Sequence, residues 1–388
     1  LCDRRQRQMC IRDSLIGAKR MTEAVQKPGQ MVLHEYRSEK IVEYIREHPK
    51  YRTVAIALSG DVGFYSGAKK LINQLDGNVE VICGISSVVY FMSKIGLSWD
   101  DAKIVSAHGR NCNLISLIRH NPKVFSILGT EDGVAVLASR LVYYGMGDVT
   151  LYVGENLSYE NEKIFHDKAA NLTEYRGDAL SVVTACNEKA TPLSAVHGIS
   201  DGEFLRGKAP MTKEEVRTVS LSKLRLSEDS VCYDVGAGTG SVSVEMALRA
   251  WMGQVYAIEK KEDALALLKE NKKKFAVDNL VIIPGVAPEA MTELPAPTHA
   301  FIGGSSGNMQ DIINLLLEKN PKVRIVINCI TLETVTEAMN AIRDFGLEDV
   351  DIVQLAAARS KSIGRYHMMM GENPIYIISC SGRGEEIR

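Results

Sequence analysis

Val231-Cys-Tyr-Asp-Val-Gly-Ala-Gly-Thr-Gly240 is the stretch on which the reading of this chain turns. Its apolar half reads as a buried strand running into Asp234, its three alternate glycines as a turn, and Ser241–Ala250 as the helix that follows. Glycine suits such a turn because the backbone must bend sharply and let a ligand approach with no Cβ in the way. The helix then aims its first amides at whatever occupies the turn.

Outward from this turn, the next strand (Gln254–Glu259, QVYAIE) ends in an acidic residue nineteen positions after Gly240. A carboxylate there can accept both ribose hydroxyls of a nucleoside. The glycine spacing is GxGxG, whereas the dinucleotide fingerprint is GxGxxG. After the third strand, Gly285-Val-Ala-Pro-Glu289 stands where backbone would grip an adenine ring. Together these mark an S-adenosylmethionine (SAM) site built from Asp234, Gly236, Gly238, Thr239, Gly240, Glu259, Gly285 and Ala287. A bare GxGxG is a weak signal. The ordered set of strand, turn, helix, strand and acid is specific, and its competitor is a Rossmann nucleotide site of another type.

The chain has 388 residues, enough for two or three domains at roughly 100–200 residues each. In the C-terminal half a helix is expected at Thr212–Leu224. Strands are expected at Val231–Val235, Gln254–Glu259, Leu280–Ile283, His299–Ile302 and Val323–Asn328, with helices between them. Asp351–Ala356 and Pro374–Ser379 should close the sheet as an antiparallel pair. This is a doubly wound α/β sheet. The N-terminal half also alternates, with strands expected at Tyr51–Leu58, Asn78–Cys83, Lys103–Ser106, Val124–Leu128, Thr150–Val153 and Ala179–Ala185. Helices at Ser38–Glu47 and Gly133–Tyr144 point to a largely parallel sheet. Residues 188–197, with Pro192 and no sustained period, read as a linker between domains at 15–187 and 198–388. The first fourteen residues, LCDRRQRQMCIRDS, have no helical or strand period and are set apart as a non-native or disordered segment.

Bulk properties narrow the partners. The net charge of −2 supplies no broad basic field for a nucleic-acid backbone. No run of eighteen apolar residues suggests a membrane span. None of the eight cysteines has CxxC spacing, and no metal-ligand set is read. Cys232 and Cys329 lie in apolar runs as reduced core residues, which fits a cytoplasmic protein.

A resemblance becomes specific in the C-terminal half. Gly198-Ile-Ser-Asp-Gly-Glu-Phe-Leu-Arg206, Pro210-Met-Thr-Lys-Glu-Glu-Val-Arg217 and DVGAGTGSVSVE resemble the decarboxylating methyltransferase family of cobalamin biosynthesis. So do GVAPEA, FIGGSSG at Phe301–Gly307, and Asn328 followed by TLET. In many members an acidic residue precedes the FIGG strand; Thr298-His299 stands there, and no catalytic carboxylate is assigned. In the N-terminal half, Leu58-Ser-Gly-Asp-Val-Gly-Phe-Tyr-Ser66, Gly84-Ile-Ser-Ser87, Ser106-Ala-His-Gly-Arg110 and Leu128-Gly-Thr130 resemble the tetrapyrrole methylase family. SAHGR is closest to its corrin carbon-5 branch. That family begins with a strand and a Gly-Pro-Gly loop, whose place the anomalous first fourteen residues take.

The resemblance implies methylation of a precorrin or cobalt-precorrin at carbon 5 by the first half. It implies methylation at carbon 15, with loss of the carbon-12 acetate carboxylate, by the second. It also implies a homo-oligomer, and a second SAM site at Gly60, Asp61, Ser86 and Ser87. SAM presents an electrophilic methyl group, so alignment and exclusion of water are the main tasks, and no general acid or base is identified. A substrate rich in carboxylates calls for cationic and polar side chains: His108, Arg110, Arg206, Lys213 and Arg217, with Arg359, Lys361, Arg365 and His367 as further candidates. Two competing readings remain at this level. One is a SAM-dependent methyltransferase acting on RNA or protein; the other is a non-catalytic, corrin-binding N-terminal half.

Overall fold

The computed structural model describes residues 14–51, 53–75, 79–108, 112–130, 132–192 and 198–383. The chain separates into two compact units. One is drawn from the chain before Ala102 with Gly154–Ile164, the other from Ala102–Val153 with the chain from Phe165 onward.

The first unit contains β1 (Ser14–Gly17), α1 (Lys19–Val25), β2 (Met31–His34), α2 (Ser38–Glu47), β3 (Val54–Ala57), α3 (Ala68–Ile72) and α4 (Ser87–Ile95). β1 pairs in parallel with β2 on one side and β3 on the other. Ile16, Ile41, Val42 and Leu71 form its core. Ser14, set apart from the sequence, belongs to this sheet and is fully buried, whereas residues 1–13 lie outside the described residues. The strand expected at Asn78–Cys83 is a correction. Asn78 lies outside the described residues, and 79–83 adopt no regular structure, with Val79 and Val81 exposed. An extended segment becomes a strand only where a neighbouring strand takes its N–H and C=O groups in register, and the sheets of the described residues do not include this one.

Along the chain follow β4 (Lys103–Ser106), α5 (Leu114–His120), β5 (Lys123–Leu128), α6 (Gly133–Tyr143), β6 (Thr150–Glu155), β7 (Lys163–Lys168) and β8 (Ser181–Cys186). Their sheet order is β4-β5-β8-β6-β7. β4 and β5 are parallel, as expected, and β8 runs antiparallel to β5, so this sheet is mixed.

The rest of the second unit is a seven-stranded sheet. It uses α7 (Glu214–Leu224), β9 (Val231–Val235), α8 (Ser241–Arg249), β10 (Gln254–Glu259), α9 (Glu262–Phe275), β11 (Leu280–Pro284), β12 (His299–Ile302), α10 (Met309–Lys319), β13 (Arg324–Cys329), α11 (Leu332–Asp344), β14 (Glu348–Leu355) and β17 (Ile375–Ser381). The order is β11-β10-β9-β12-β13-β17-β14, parallel through β13 and antiparallel at β17 and β14. Strand alternation separates two cores: Cys232 packs with Leu224, Val244 and Leu268, whereas Tyr233 packs with Ile312, Leu316 and Ala338. The fully buried thiols of Cys232, Cys329 and Cys380 are all pushed above their ordinary range by burial. The helix expected between β11 and β12 is replaced by a single tight turn at Glu289–Met291. Pro288, Pro295 and Pro297 in this short segment each remove an amide and oppose a helix. Between β14 and β17 an unanticipated hairpin, β15 (Ala358–Ile363) and β16 (Tyr366–Gly371), stands largely exposed.

Within this unit α5 meets the carboxyl end of α9. The Asn113 side-chain oxygen accepts the amides of Ser116 and Asp278, both at 3.1 Å. The Asn113 amide donates to the Trp251 carbonyl (2.9 Å), and Arg119 donates to the Lys274 carbonyl (2.8 Å). Ala276 shares an apolar core with Ile115, Leu137 and Leu141.

Candidate active site

The chain runs from β9 to β10 to β11 in one direction across the sheet, then crosses back to β12 and β13. A crevice opens at the carboxyl ends of the strands where such an order reverses. Here Gly236 and Gly238 follow β9, Gly303–Ser306 follow β12, and the cleft between them has a volume of about 300 Å³.

All three glycines of the first turn adopt positive φ: 76° at Gly236, 56° at Gly238 and 78° at Gly240. Space forbids side chains there as well. A Cβ on Gly236 would lie 2.9 Å from the Gly304 carbonyl oxygen, and one on Gly238 3.0 Å from the Pro210 oxygen. One on Gly240 would stand 2.1 Å from Leu268 Cδ1. The Ile258 carbonyl ties the turn to β10 by accepting the amides of Gly236 (3.0 Å) and Ala237 (3.1 Å).

Glu259, at the end of β10, is 8% exposed and faces the cleft. Its Oε2 accepts the Gly238 amide (2.8 Å), and its Oε1 accepts those of Lys260 (2.8 Å) and Lys261 (2.9 Å). A carboxylate offers about four acceptor positions. Oε2, with one amide, keeps capacity to accept a hydroxyl. Asp234 behaves differently. It is fully buried, accepts the Ser243 hydroxyl, and leaves Oδ1 without a partner. Burial pushes its carboxyl up to about 7 against the pull of the Ser243 hydroxyl, and the charge on Glu259 adds to the rise.

The front wall is the segment Ala209–Lys213, which precedes α7. Two buried side chains hold the stretch that carries it. Arg217 pairs with Glu245 and Asp201, donates to the carbonyls of Ile199 and Thr212, and lies 4.8 Å from the centre of the Phe204 ring. Asn271 accepts the Leu205 amide (2.8 Å) and donates to the carbonyls of Leu205 (3.1 Å) and Thr239 (2.9 Å).

In the first unit, the SGD and GISS loops touch: a Cβ on Gly84 would fall 2.2 Å from the Gly60 carbonyl oxygen. Asp61 accepts the Gly63 amide (2.8 Å), Ser86 caps α4 by accepting the Val89 amide (3.4 Å), and Ser87 opens that helix. In the second unit the exposed His108 ring rests against Gly129, where a Cβ would meet Nδ1 at 2.0 Å.

Two family models match the chain: a precorrin methyltransferase domain over residues 203–381 and the tetrapyrrole (corrin/porphyrin) methylases over residues 1–173. A probable cobalt-precorrin-6B C(15)-methyltransferase (decarboxylating) of Pyrobaculum calidifontis is 45% identical over 188 residues, covering 48% of this chain and 96% of the relative. The Salmonella typhimurium cobalt-precorrin-6B C(15)-methyltransferase (decarboxylating) is 40% identical over 192 residues, 49% and 99% of the two chains. The chain belongs to this methyltransferase family. Among solved structures, the precorrin-6y C5,15-methyltransferase of Geobacter metallireducens is 39% identical with a TM-score of 0.45, covering 47% of this chain and 95% of that one.

In this methyltransferase Gly236, Gly238, Glu259, Gly285, Ala287 and Lys213 line the cleft, whereas Asp234, Thr239 and Gly240 support it from behind. Arg217 is a correction to the substrate-contact reading: it is fully buried, and its guanidinium is spent on the pairs named above. Arg206 is exposed and donates to the Asp201 carbonyl (3.1 Å), away from the cleft lining. Arg110 lies outside the described residues. Arg359 pairs with Glu215 (2.7 Å), while Lys361, Arg365 and His367 stand exposed on the β15–β16 hairpin. Sequence reasoning left out Lys260, Lys261, Ser305, Ser306 and Asn328. Each follows the carboxyl end of an expected strand or ends it, which was a usable signal.

Proposed function

We propose that the cleft at β9 and β12 binds SAM, and that residues 198–388 form the domain that methylates a cobalt-precorrin-6-type corrin at carbon 15 with loss of the carbon-12 acetate carboxylate. Residues 15–187 form a second domain that methylates carbon 5, and 188–197 link the two. The glycine cradle carries this reading. A donor with a bulky nucleoside and an amino-acid tail needs backbone free of Cβ atoms, and the three glycines keep it so. The residues fit the donor: Glu259 has one acceptor position open for a ribose hydroxyl, Gly285 and Ala287 flank the adenine end, and the cleft is large enough to enclose most of it. When bound, SAM supplies an electrophilic methyl group. The chain's own residues hold it, exclude water, and use Lys213, Lys260 and Lys261 at the rim to attract the substrate's carboxylates.

Gly60, Asp61, Ser86 and Ser87 are proposed as donor-binding residues of the first unit, and His108 separately as a substrate-contact candidate on the second. We place the enzyme in the cytoplasm; among the described residues no helix is long and apolar enough to cross a membrane. Self-association is proposed through the β15–β16 hairpin, where Ile363, Tyr366, Met368, Met369 and Met370 are exposed.

Incubation with cobalt-precorrin-6A or -6B and SAM, read by mass spectrometry, tests the assignment. The expected product has two added methyl groups and one lost CO2. One methyl with CO2 loss would restrict catalysis to the C-terminal half and make the N-terminal half a corrin-binding partner. No methyl gain would end the proposal.

A further inference from the structure

Behind the Gly303–Ser306 turn lies a second cavity, of about 350 Å³. It shares that turn, Asn328 and Ile330 with the first cleft, so the two adjoin. Its volume is on the order of ten waters, enough for a side arm of a tetrapyrrole and too small for the ring. We infer that this cavity receives the substrate's acetate arm and holds its carboxylate by neutral donors centred on the Asn328 amide. The inference rests on the corrin-decarboxylating function proposed above and deepens it.

Asn328 supplies the first argument. Its Oδ1 accepts the Ser220 hydroxyl (3.0 Å), while its Nδ2 is buried with no partner among the described residues. A buried amide donor left unmatched is costly, and Asn328 is among the residues that line both cavities. A carboxylate oxygen would satisfy it. Thr334, whose hydroxyl lies 3.1 Å from that of Thr331, adds a neutral hydroxyl to the same wall.

Charge supplies the second. The first cleft carries Lys213, Lys260 and Lys261, whereas among the described residues lining the second no lysine or arginine occurs and Glu337 is the charged side chain. A cation beside the arm would stabilise the carboxylate itself and raise the barrier to its loss. Neutral donors orient the ion without that penalty, and the like charge of Glu337 makes the ionised arm less stable than the departing neutral CO2. In the step, the bond from the arm's methylene carbon to its carboxylate breaks. The electron pair enters the conjugated macrocycle, CO2 leaves, and the methylene carbon takes up a proton from water to become a methyl group.

The full chain, given cobalt-precorrin-6B and SAM, separates the two events in one mass spectrum, because methyl gain and CO2 loss are counted independently. Asn328→Asp keeps the shape and turns the donor into an acceptor, Thr334→Val removes a hydroxyl, and Glu337→Arg installs the missing cation. Each is expected to slow CO2 loss at least tenfold more than methyl transfer, so that a methylated product retaining its carboxylate accumulates. Equal slowing of both events in the three variants, or CO2 loss at the wild-type rate in Asn328→Asp, overturns the inference. A wild-type enzyme that adds a methyl group and never releases CO2, or does neither, overturns the proposed function itself.

Discussion

After β9 the chain turns through Gly236, Gly238 and Gly240 into α8; after β3 it turns through Ser59-Gly60-Asp61. Both turns follow a short apolar strand, and both place glycine at positive φ. They differ in what surrounds them. Each glycine of the first is walled in by a distant residue: Gly304, Pro210 or Leu268. Gly60 has one neighbour near its missing Cβ, the Ile85 carbonyl oxygen at 3.9 Å. Glu259 reaches across to the amide of Gly238, while Asp61 takes the amide two residues further along its own loop. A glycine turn becomes a ligand cradle when remote segments close around it, and the turn alone does not supply those walls.

That contrast can be broken experimentally, beginning with the largest effect. Arg217→Met should destabilise the second unit by about 3–5 kcal/mol, because Glu245 would remain buried without its counter-charge and Asp201 would keep only the 3.6 Å contact with Arg359. Urea denaturation reads this directly, and a loss under 1 kcal/mol would show that the front wall is not held by this pair. Gly236→Ala and Gly60→Ala both incur the left-handed cost of about 1–2 kcal/mol, but only the first also drives a methyl into the Gly304 backbone. SAM affinity of the C-terminal cleft, by calorimetry, should fall more than tenfold in Gly236→Ala and stay within twofold in Gly60→Ala. Equal losses would erase the distinction.

Glu259→Ala should weaken donor binding about tenfold, the worth of one charge-assisted hydrogen bond; Asp61→Ala should leave binding in this cleft unaltered. The smallest effect concerns pH. Asp234 holds its proton in the folded state up to about pH 7 and releases it near 4 when unfolded. The unfolded chain therefore carries fewer protons across that window, and this group's contribution to stability falls as pH rises from about 4 to about 7. Thermal melts of Asp234→Asn against wild type should show a flatter profile over that range. Parallel profiles would mean that Asp234 is ionised throughout.

The inner strands β9, β10, β12 and β13 could be read from their apolar runs because each is largely buried on both faces and bounded by glycine, proline or charge. Glu259 could be read because a carboxylate ending the second strand has few other uses. Most of the front wall could not, although Lys213 was read as a substrate-cleft candidate. Ala209–Lys213 carries no period and owes its place to Arg217 and Asn271, whose partners lie on other elements. Arg217 illustrates the opposite failure, since a cation beside a motif looks like a substrate contact until its burial is known. The 79–83 segment has the composition of a strand but joins none of the sheets of the described residues, and sheet pairing is not written in a strand's own residues. β1 begins inside the segment set apart from the fold, and β2 is exposed at both ends and offers no buried run.

Asn113 and Arg119 satisfy backbone groups at the carboxyl end of α9, a helix whose other end begins three residues after Glu259. A polypeptide started at residue 198 would send the amide of Asp278 and the carbonyls of Lys274 and Trp251 into solvent and strip the cover from Ala276. The fused arrangement thus replaces a hydrated helix end with a fitted seam. A truncation intended to isolate the carbon-15 activity would have to resurface that end, with polar substitutions at Trp251 and Ala276, before its solubility could be compared with that of the parent.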